Sequence, residues 1–170
     1  MRLSIFTDEL GVDITKGLGI LREWGLQHVD LRGRIFGKHF EGLLAEDLQK
    51  LRRRIVEHDM KVGCLESSFA KVHLPDKDRL QAEEAKLEAI VRAADALDCR
   101  LVRAFFFWQP TDHNVGKLHV KPDQFQKVLD VAGPFCERAR KAGLVFAFEN
   151  CGCLVEECFA VLEALGIPEF

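Results

Sequence analysis

Four times along this 170-residue chain, a segment with apolar residues at helical spacing runs through a tight joint into a short apolar strand. The joints are Trp24-Gly25-Leu26-Gln27-His28-Val29, His58-Asp59-Met60-Lys61-Val62, Leu97-Asp98-Cys99-Arg100-Leu101-Val102 and Ala142-Gly143-Leu144-Val145. A further apolar run, Leu3-Ser4-Ile5-Phe6, reads as a first strand that needs no preceding helix. Parallel strands cannot be joined by a tight hairpin and need a crossover, which the intervening helices supply. The expected class is therefore α/β, a parallel βα repeat of about five units. Ligands of such sheets and barrels sit beyond the carboxyl ends of the strands. Those ends carry Asp8 and Glu9, Arg32, Glu66, Arg103 to Trp108, and Glu149 with Asn150.

The periodicity places the units. A first helix starts near Asp13, a residue type that caps helices, and carries Ile14, Leu18, Leu21 and Trp24 before Gly25 ends it. His28 to Arg32 is the second strand. Leu44, Leu48, Leu51 and Ile55 share one face of the next helix, while Arg52, Arg53 and Arg54 fall largely elsewhere, a pattern that reads as a solvated face before it reads as a binding patch. Lys61 to Glu66 forms a strand, and Leu87, Ile90, Val91, Ala94 and Leu97 repeat the helical pattern. The fourth strand runs from Leu101 to about Phe107. The following helix carries Phe125, Val128, Leu129, Ala132 and Ala139, with Gly133-Pro134 predicting a kink or short break. Leu144 to Phe148 and a last helix with Cys158, Val161, Leu162 and Leu165 complete the order. No linker divides the chain, so residues 1–170 read as a single domain. The long connection from Gln109 to Lys121 follows a strand and is a lid candidate.

Composition narrows the classes of partner. With 48% hydrophobic and 30% charged residues the chain has the makeup of an ordinary globular protein with a real core. A formal charge of −3, with acidic and basic residues interspersed, disfavours a nucleic acid as partner. No apolar run approaches the roughly 20 residues of a membrane span, and the amino terminus enters a strand without the features of a secretory signal, so a cytoplasmic location is expected. Six cysteines, at positions 64, 99, 136, 151, 153 and 158, lack the paired spacing of a tetrahedral metal site and read as structural thiols, with redox sensitivity open for any that lies beside a cleft.

The last strand is the most informative. Along Leu144-Val145-Phe146-Ala147-Phe148-Glu149, large residues alternate with a smaller set that ends in a carboxylate. In a closed βα barrel the bulky set packs against helices and the smaller set faces the interior, which points Glu149 into the barrel mouth. A carboxylate there can bind a divalent cation or move a proton; a helix cap or a surface carboxylate is the alternative.

Five segments together resemble a known family. Phe6-Thr7-Asp8-Glu9-Leu10, Val29-Asp30-Leu31-Arg32-Gly33, Ser67-Ser68-Phe69-Ala70-Lys71, Arg103-Ala104-Phe105-Phe106 and Phe148-Glu149-Asn150 occur in the order and at the spacing of the sugar phosphate isomerase/epimerase family, within the xylose isomerase-like TIM barrels. The resemblance covers essentially the whole chain. It implies a barrel of which about five of eight βα units are present, and one divalent ion, Mn, Mg, Co or Zn, held by four ligands. Glu149 matches the first of these ligands; an Asp, a His and a second Glu on strands 6 to 8 have no counterpart. Cys151-Gly152-Cys153 departs from the more polar loop that relatives carry there. The implied chemistry is proton transfer on a ketose or related polyol, with paired carboxylates flanking the sugar. With one anionic ligand a divalent ion binds weakly, so the chain alone is expected to be inactive. An alternative is a non-catalytic binding or scaffolding barrel fragment that acts through a partner. Abasic-site DNA repair uses the same barrel, but the charge of −3 and the missing ligand histidines argue against it.

The remaining candidates carry open alternatives. Arg32 and Lys71 suit a phosphate or sugar hydroxyls, or an ion pair with Asp8, Glu9 or Glu66. Glu66 is a candidate for acid/base work, and Asn150 for a substrate contact. Trp108, with Phe106 and Phe107, forms either an apolar wall for a sugar ring or core packing. His73, His113 and His119 read as surface or loop residues, with His113 beside Asp112 able to approach a ligand. Five units leave two open sheet edges, so pairing through those edges into an oligomer is a further expectation.

Overall fold

A computed structural model describes residues 3–74, 76–107, 122–151 and 153–166. Helices α1 (Ile14–Glu23), α2 (Ala45–Glu57), α3 (Lys77–Leu97), α4 (Pro122–Lys141) and α5 (Val155–Leu165) alternate with strands β1 (His28–Leu31), β4 (Lys61–Leu65), β5 (Leu101–Ala104) and β6 (Val145–Phe148). A two-residue antiparallel pair, β2 (Arg34–Ile35) with β3 (Lys38–His39), interrupts the connection after β1. The four longer strands form one sheet in the order β1-β4-β5-β6. This is the parallel βα order that the repeat predicts.

The repeat has one physical cause at all four joints. Each helix is followed by a residue with positive φ: Gly25 at 79°, Asp59 at 52°, Asp98 at 53° and Gly143 at 70°. Glycine and aspartate are residue types that tolerate this left-handed turn. The next residue then donates its amide back five positions, Leu26 to Leu21 O, Met60 to Ile55 O, Cys99 to Ala94 O and Leu144 to Ala139 O, at 2.9 to 3.0 Å. Carbonyls left over at the helix end are thereby satisfied, and the chain leaves in the direction of the following strand.

The molecule divides into two compact units, residues 1–67 with 88–102, and residues 68–87 with 103–170. In the first unit, β1 pairs with β4 in parallel, Val29 opposite Val62 and Leu31 opposite Leu65, and β4 meets β5 through Leu65 and Val102. Leu18, Leu21, Val29, Leu31, Leu51 and Leu65 have no measurable exposure and form its core. Asp13 caps α1 by accepting the amides of Thr15 and Lys16. The expected first strand contracts to a single bridge, Phe6 to Asp30, with the Asp30 amide donating to Ile5 O at 3.0 Å. Directly after it, Thr7–Leu10 turns into a 3-10 helix and ends any further pairing.

In the second unit, Phe69 packs on Phe107, Phe135 and Phe146 with ring centroids 5.3 to 5.8 Å apart, while Phe106 stacks on Phe148 at 4.3 Å. β5 ends at Ala104 instead of near Phe107 because the chain changes partner there. The amides of Phe105 and Phe107 donate to Phe69 O and Ala70 O, in the loop after β4. α4 continues through Pro134 without the break that Gly133-Pro134 predicts. Two residues placed on helix faces by spacing stand outside them: Trp24 is the cap of α1 and 62% exposed, and Leu44 is the N-cap of α2. The triplet Arg52 to Arg54 is largely solvent-facing, as its spacing indicates.

Candidate functional site

Within the second unit the carboxyl ends of β5 and β6 hold the central pair. Val145 and Ala147 alternate with the buried Phe146 and the half-buried Phe148, which turns Glu149 onto the face of the smaller residues. Its amide donates to Ala104 O at 3.0 Å, and its Oε2 accepts from Arg103 Nη1 at 3.1 Å. The Glu149 side chain keeps 40% of its surface exposed, whereas that of Arg103 keeps 18%. Such a carboxylate is fixed at its backbone and at one oxygen yet open to a ligand. Asn150 follows it, exposed, and its carbonyl accepts the Cys153 amide at 3.2 Å. Nothing in the sequence assigns Arg103 to Glu149; its position one residue before the end of β5 is the only signal.

The loop after β4 belongs to the same unit and has an anchor that residue types conceal. Glu83, on α3, is 3% exposed; its Oε2 accepts the Ala70 amide at 2.7 Å, and its Oε1 meets Lys86 Nζ at 2.6 Å. Lys86 also donates to Ser68 O at 3.3 Å. Ala70 has φ of 62°, a conformation that costs an L-residue about 1 kcal/mol and that these bonds offset. This loop presents Lys71, whose Nζ lies 5.0 Å from the centroid of the Phe105 ring. A signal for Glu83 exists in the sequence: it lies four residues before Leu87, on the stripe that continues through Ile90 and Ala94.

In the first unit Arg32 realises the ion-pair alternative. Its Nε donates to both Asp8 oxygens, at 2.8 and 3.0 Å, its Nη2 donates to Glu9, and the guanidinium stacks 4.1 Å above the Phe6 ring. Burial pulls this guanidinium down, but the hydrogen bonds and charges of Asp8 and Glu9 outweigh it and raise its pKa. Gly33 follows at φ 75°, where an added Cβ would lie 2.8 Å from that of Asp8. Thr7 Oγ1 closes the segment by donating to Arg32 O and accepting the Arg32 amide. Glu66 sits one residue past β4, and its amide donates to Leu31 O. Burial pushes the Cys64 thiol up, and the neighbouring Glu66, by charge and hydrogen bond, and Asp30 push it further. Glu66 therefore stands beside Cys64, two residues further along the extended chain.

A cavity of about 320 Å³ lies at the opposite, amino ends of β1 and β4, lined by His28, Arg52, Val56, Met60, Lys61 and Asp98 among others. None of the predicted site residues lines it. Trp108, His113, His119 and the lid candidate Gln109 to Lys121 lie outside the described residues.

A divalent ion does not fit the described residues. They contain no group of three or more His, Cys, Asp or Glu side chains able to hold one, and the Glu149 carboxylate is bonded to a guanidinium. Hard cations collect about six oxygen ligands, and an adjacent positive charge opposes them. No helix among the described residues is long and apolar enough to cross a membrane.

Comparison with known proteins gives the same architecture. The family model described as xylose isomerase-like TIM barrel matches residues 18–169. No curated protein matches the chain. Among solved structures, the probable 3-DHS dehydratase AsbF of Bacillus anthracis is 14% identical with a TM-score of 0.75, over 99% of this chain and 60% of that one. A D-psicose 3-epimerase of Clostridium cellulolyticum H10, solved with D-tagatose, is 12% identical with a TM-score of 0.68, over 97% and 60%. A xylose isomerase-like TIM barrel protein of Mycobacterium smegmatis, in complex with magnesium, is 14% identical with a TM-score of 0.66, over 89% and 52%. The chain spans between half and two thirds of the length of these relatives.

Proposed function

Because the chain belongs to the xylose isomerase-like TIM barrel family, we propose that it forms part of a sugar or sugar phosphate isomerase or epimerase, which moves a proton on a ketose or related polyol with Glu149 as the working carboxylate. The observation that carries this reading is the geometry of Glu149: backbone tied to Ala104, one oxygen tied to Arg103, side chain 40% exposed at the end of a parallel strand. A D-psicose 3-epimerase solved with D-tagatose shares this fold over 97% of this chain and 60% of its own, so the fold is one that accommodates such chemistry.

Proton abstraction next to a carbonyl needs a base within hydrogen-bond reach and donors that meet the charge growing on the carbonyl oxygen. Glu149 takes the proton from carbon, the electron pair moves to oxygen as an enediolate forms, and either a second acid or solvent delivers a proton to the opposite face of the same carbon, or Glu149 gives its proton to the neighbouring carbon. Arg103 holds the carboxylate in place, and the Asn150 amide binds a substrate hydroxyl. Lys71 suits a hydroxyl or a phosphate. Glu66, in the first unit, is a candidate for acid/base work, and Arg32 serves its own segment there through Asp8 and Glu9. A divalent metal belongs to the same reading only through ligands beyond those the described residues supply, so no step is assigned to it.

The test is hydrogen exchange into substrate. Intact protein from its native source is incubated in D2O with ketohexoses and ketohexose phosphates, with and without Mn²⁺, and the carbon-bound protons are followed by NMR. Deuterium incorporation that falls by about 100-fold or more in Glu149→Gln is expected, the scale of a general base. Incorporation unchanged in that variant removes Glu149 from the reaction. No incorporation under any condition favours the other reading, a non-catalytic barrel that works by binding.

A further inference from the structure

Cys153 and Cys158 occupy the two positions flanking the start of α5 where a helix commonly makes an apolar clasp. With Leu154 as N-cap, Cys153 is the residue before the cap and Cys158 is the fourth helical residue, the pair whose contact fixes how the chain enters a helix. The remaining capping contact is present as well, because Glu157 Oε2 accepts the Leu154 amide at 2.8 Å. Here the clasp consists of two thiols, with Sγ atoms 3.2 Å apart. Both side chains are buried, in a cluster with Phe106, Val128 and Val161. Apolar contact alone would be served by Val or Leu at either position. Two sulfurs in direct contact have an additional capability.

We propose that Cys153 and Cys158 are a reversible oxidation site, joined as a disulfide by a peroxide and released by a dithiol. The bond would close a loop with four residues between its ends and tie the turn that leaves Asn150 to the first turn of α5. The Cys158 thiolate attacks one peroxide oxygen; the O–O bond breaks, hydroxide leaves, and Cys158 becomes a sulfenic acid. Cys153 sulfur then attacks the Cys158 sulfur, the S–O bond breaks, and water leaves with the Cys153 proton. Two electrons pass from the two thiols to one peroxide, and a dithiol reductant returns them by exchange. Either thiol can donate across the 3.2 Å contact; a Cys153 donor stabilises a thiolate on Cys158, the member of the pair that belongs to α5, while Glu157 opposes it. The thiolate also lies in the first turn of a helix, where negative charge is favoured. Burial limits the oxidant to a small molecule, which hydrogen peroxide satisfies.

The experiment treats the full chain with stoichiometric hydrogen peroxide, counts thiols after denaturation, and maps peptides by mass spectrometry. Two of the six thiols should disappear, a cross-linked peptide should contain Cys153 and Cys158, and dithiothreitol should restore all six. Cys151→Ser should leave this result unchanged, whereas Cys158→Ser and, independently, Cys153→Ala should abolish the cross-link. Amide exchange between Asn150 and Leu154 should slow in the oxidised form. A sulfinic acid on one cysteine without a cross-link, a cross-link through Cys151, or six surviving thiols would overturn the proposal.

Discussion

Two ionic ties at the carboxyl ends of strands use the same chemistry in different surroundings. Glu83, with 4% of its side chain exposed, holds the loop after β4 through Ala70 and Lys86; Arg32 holds the segment after the Phe6 bridge through Asp8 and Glu9, all between 26% and 56% exposed. A buried carboxylate that is lost strands the Ala70 amide away from water, whereas exposed partners that separate are rehydrated at once. The difference assigns the first tie to architecture and leaves the second open to rearrangement when a ligand arrives.

That contrast can be broken by substitution. Glu83→Ala should cost about 3 kcal/mol, since the buried Ala70 amide and Lys86 lose their partner together. Thermal or denaturant unfolding measures it, and a loss below about 1 kcal/mol would mean that Glu83 behaves like a surface residue. Asp8→Ala should cost at most about 1 kcal/mol, a loss that shrinks at 1 M salt because the charges are exposed and screened. A loss as large as that of Glu83→Ala, insensitive to salt, would erase the distinction. The smallest effect is expected at Asp47. The Lys38 hydrogen bond, helped by the Leu44 amide, holds its carboxylate below the usual range. A depressed folded pKa contributes stability above the unfolded carboxylate value, and that contribution is lost as pH falls through the folded one. Asp47→Asn should therefore lower stability slightly at neutral pH and make no difference at strongly acidic pH, as paired pH–unfolding curves would show.

The repeat was legible because local chemistry enforces it. A Gly or Asp at each joint adopts the left-handed turn, the following amide caps the helix, and alternation or helical spacing announces what comes next. Glu149 was legible for the same reason: period-two alternation from Leu144 fixes its face. What the residues hid depends on partners distant in sequence. Arg103 reaches Glu149 across 46 positions, and β5 ends early because Phe105 and Phe107 bond to Phe69 and Ala70. Glu83 carried a signal in its place on the stripe of Leu87, Ile90 and Ala94, but its type outweighed it, since a glutamate in a charged helix reads as solvated until Ala70 and Lys86 are placed around it. Arg32 was ambiguous for a different reason. Its guanidinium suits a phosphate and a carboxylate equally, and only the 3-10 turn that brings up Asp8 and Glu9 decides which it meets.

Hydrogen–deuterium exchange mass spectrometry with and without a saturating ketohexose decides whether ligands meet this protein at the carboxyl ends of β5 and β6. Slowed exchange is expected in peptides covering Arg103 to Phe107 and Phe148 to Cys151, and is lost in Glu149→Gln. Protection instead at His28, Met60 to Val62 and Leu97 to Asp98, around the cavity at the amino ends of β1 and β4, would contradict it.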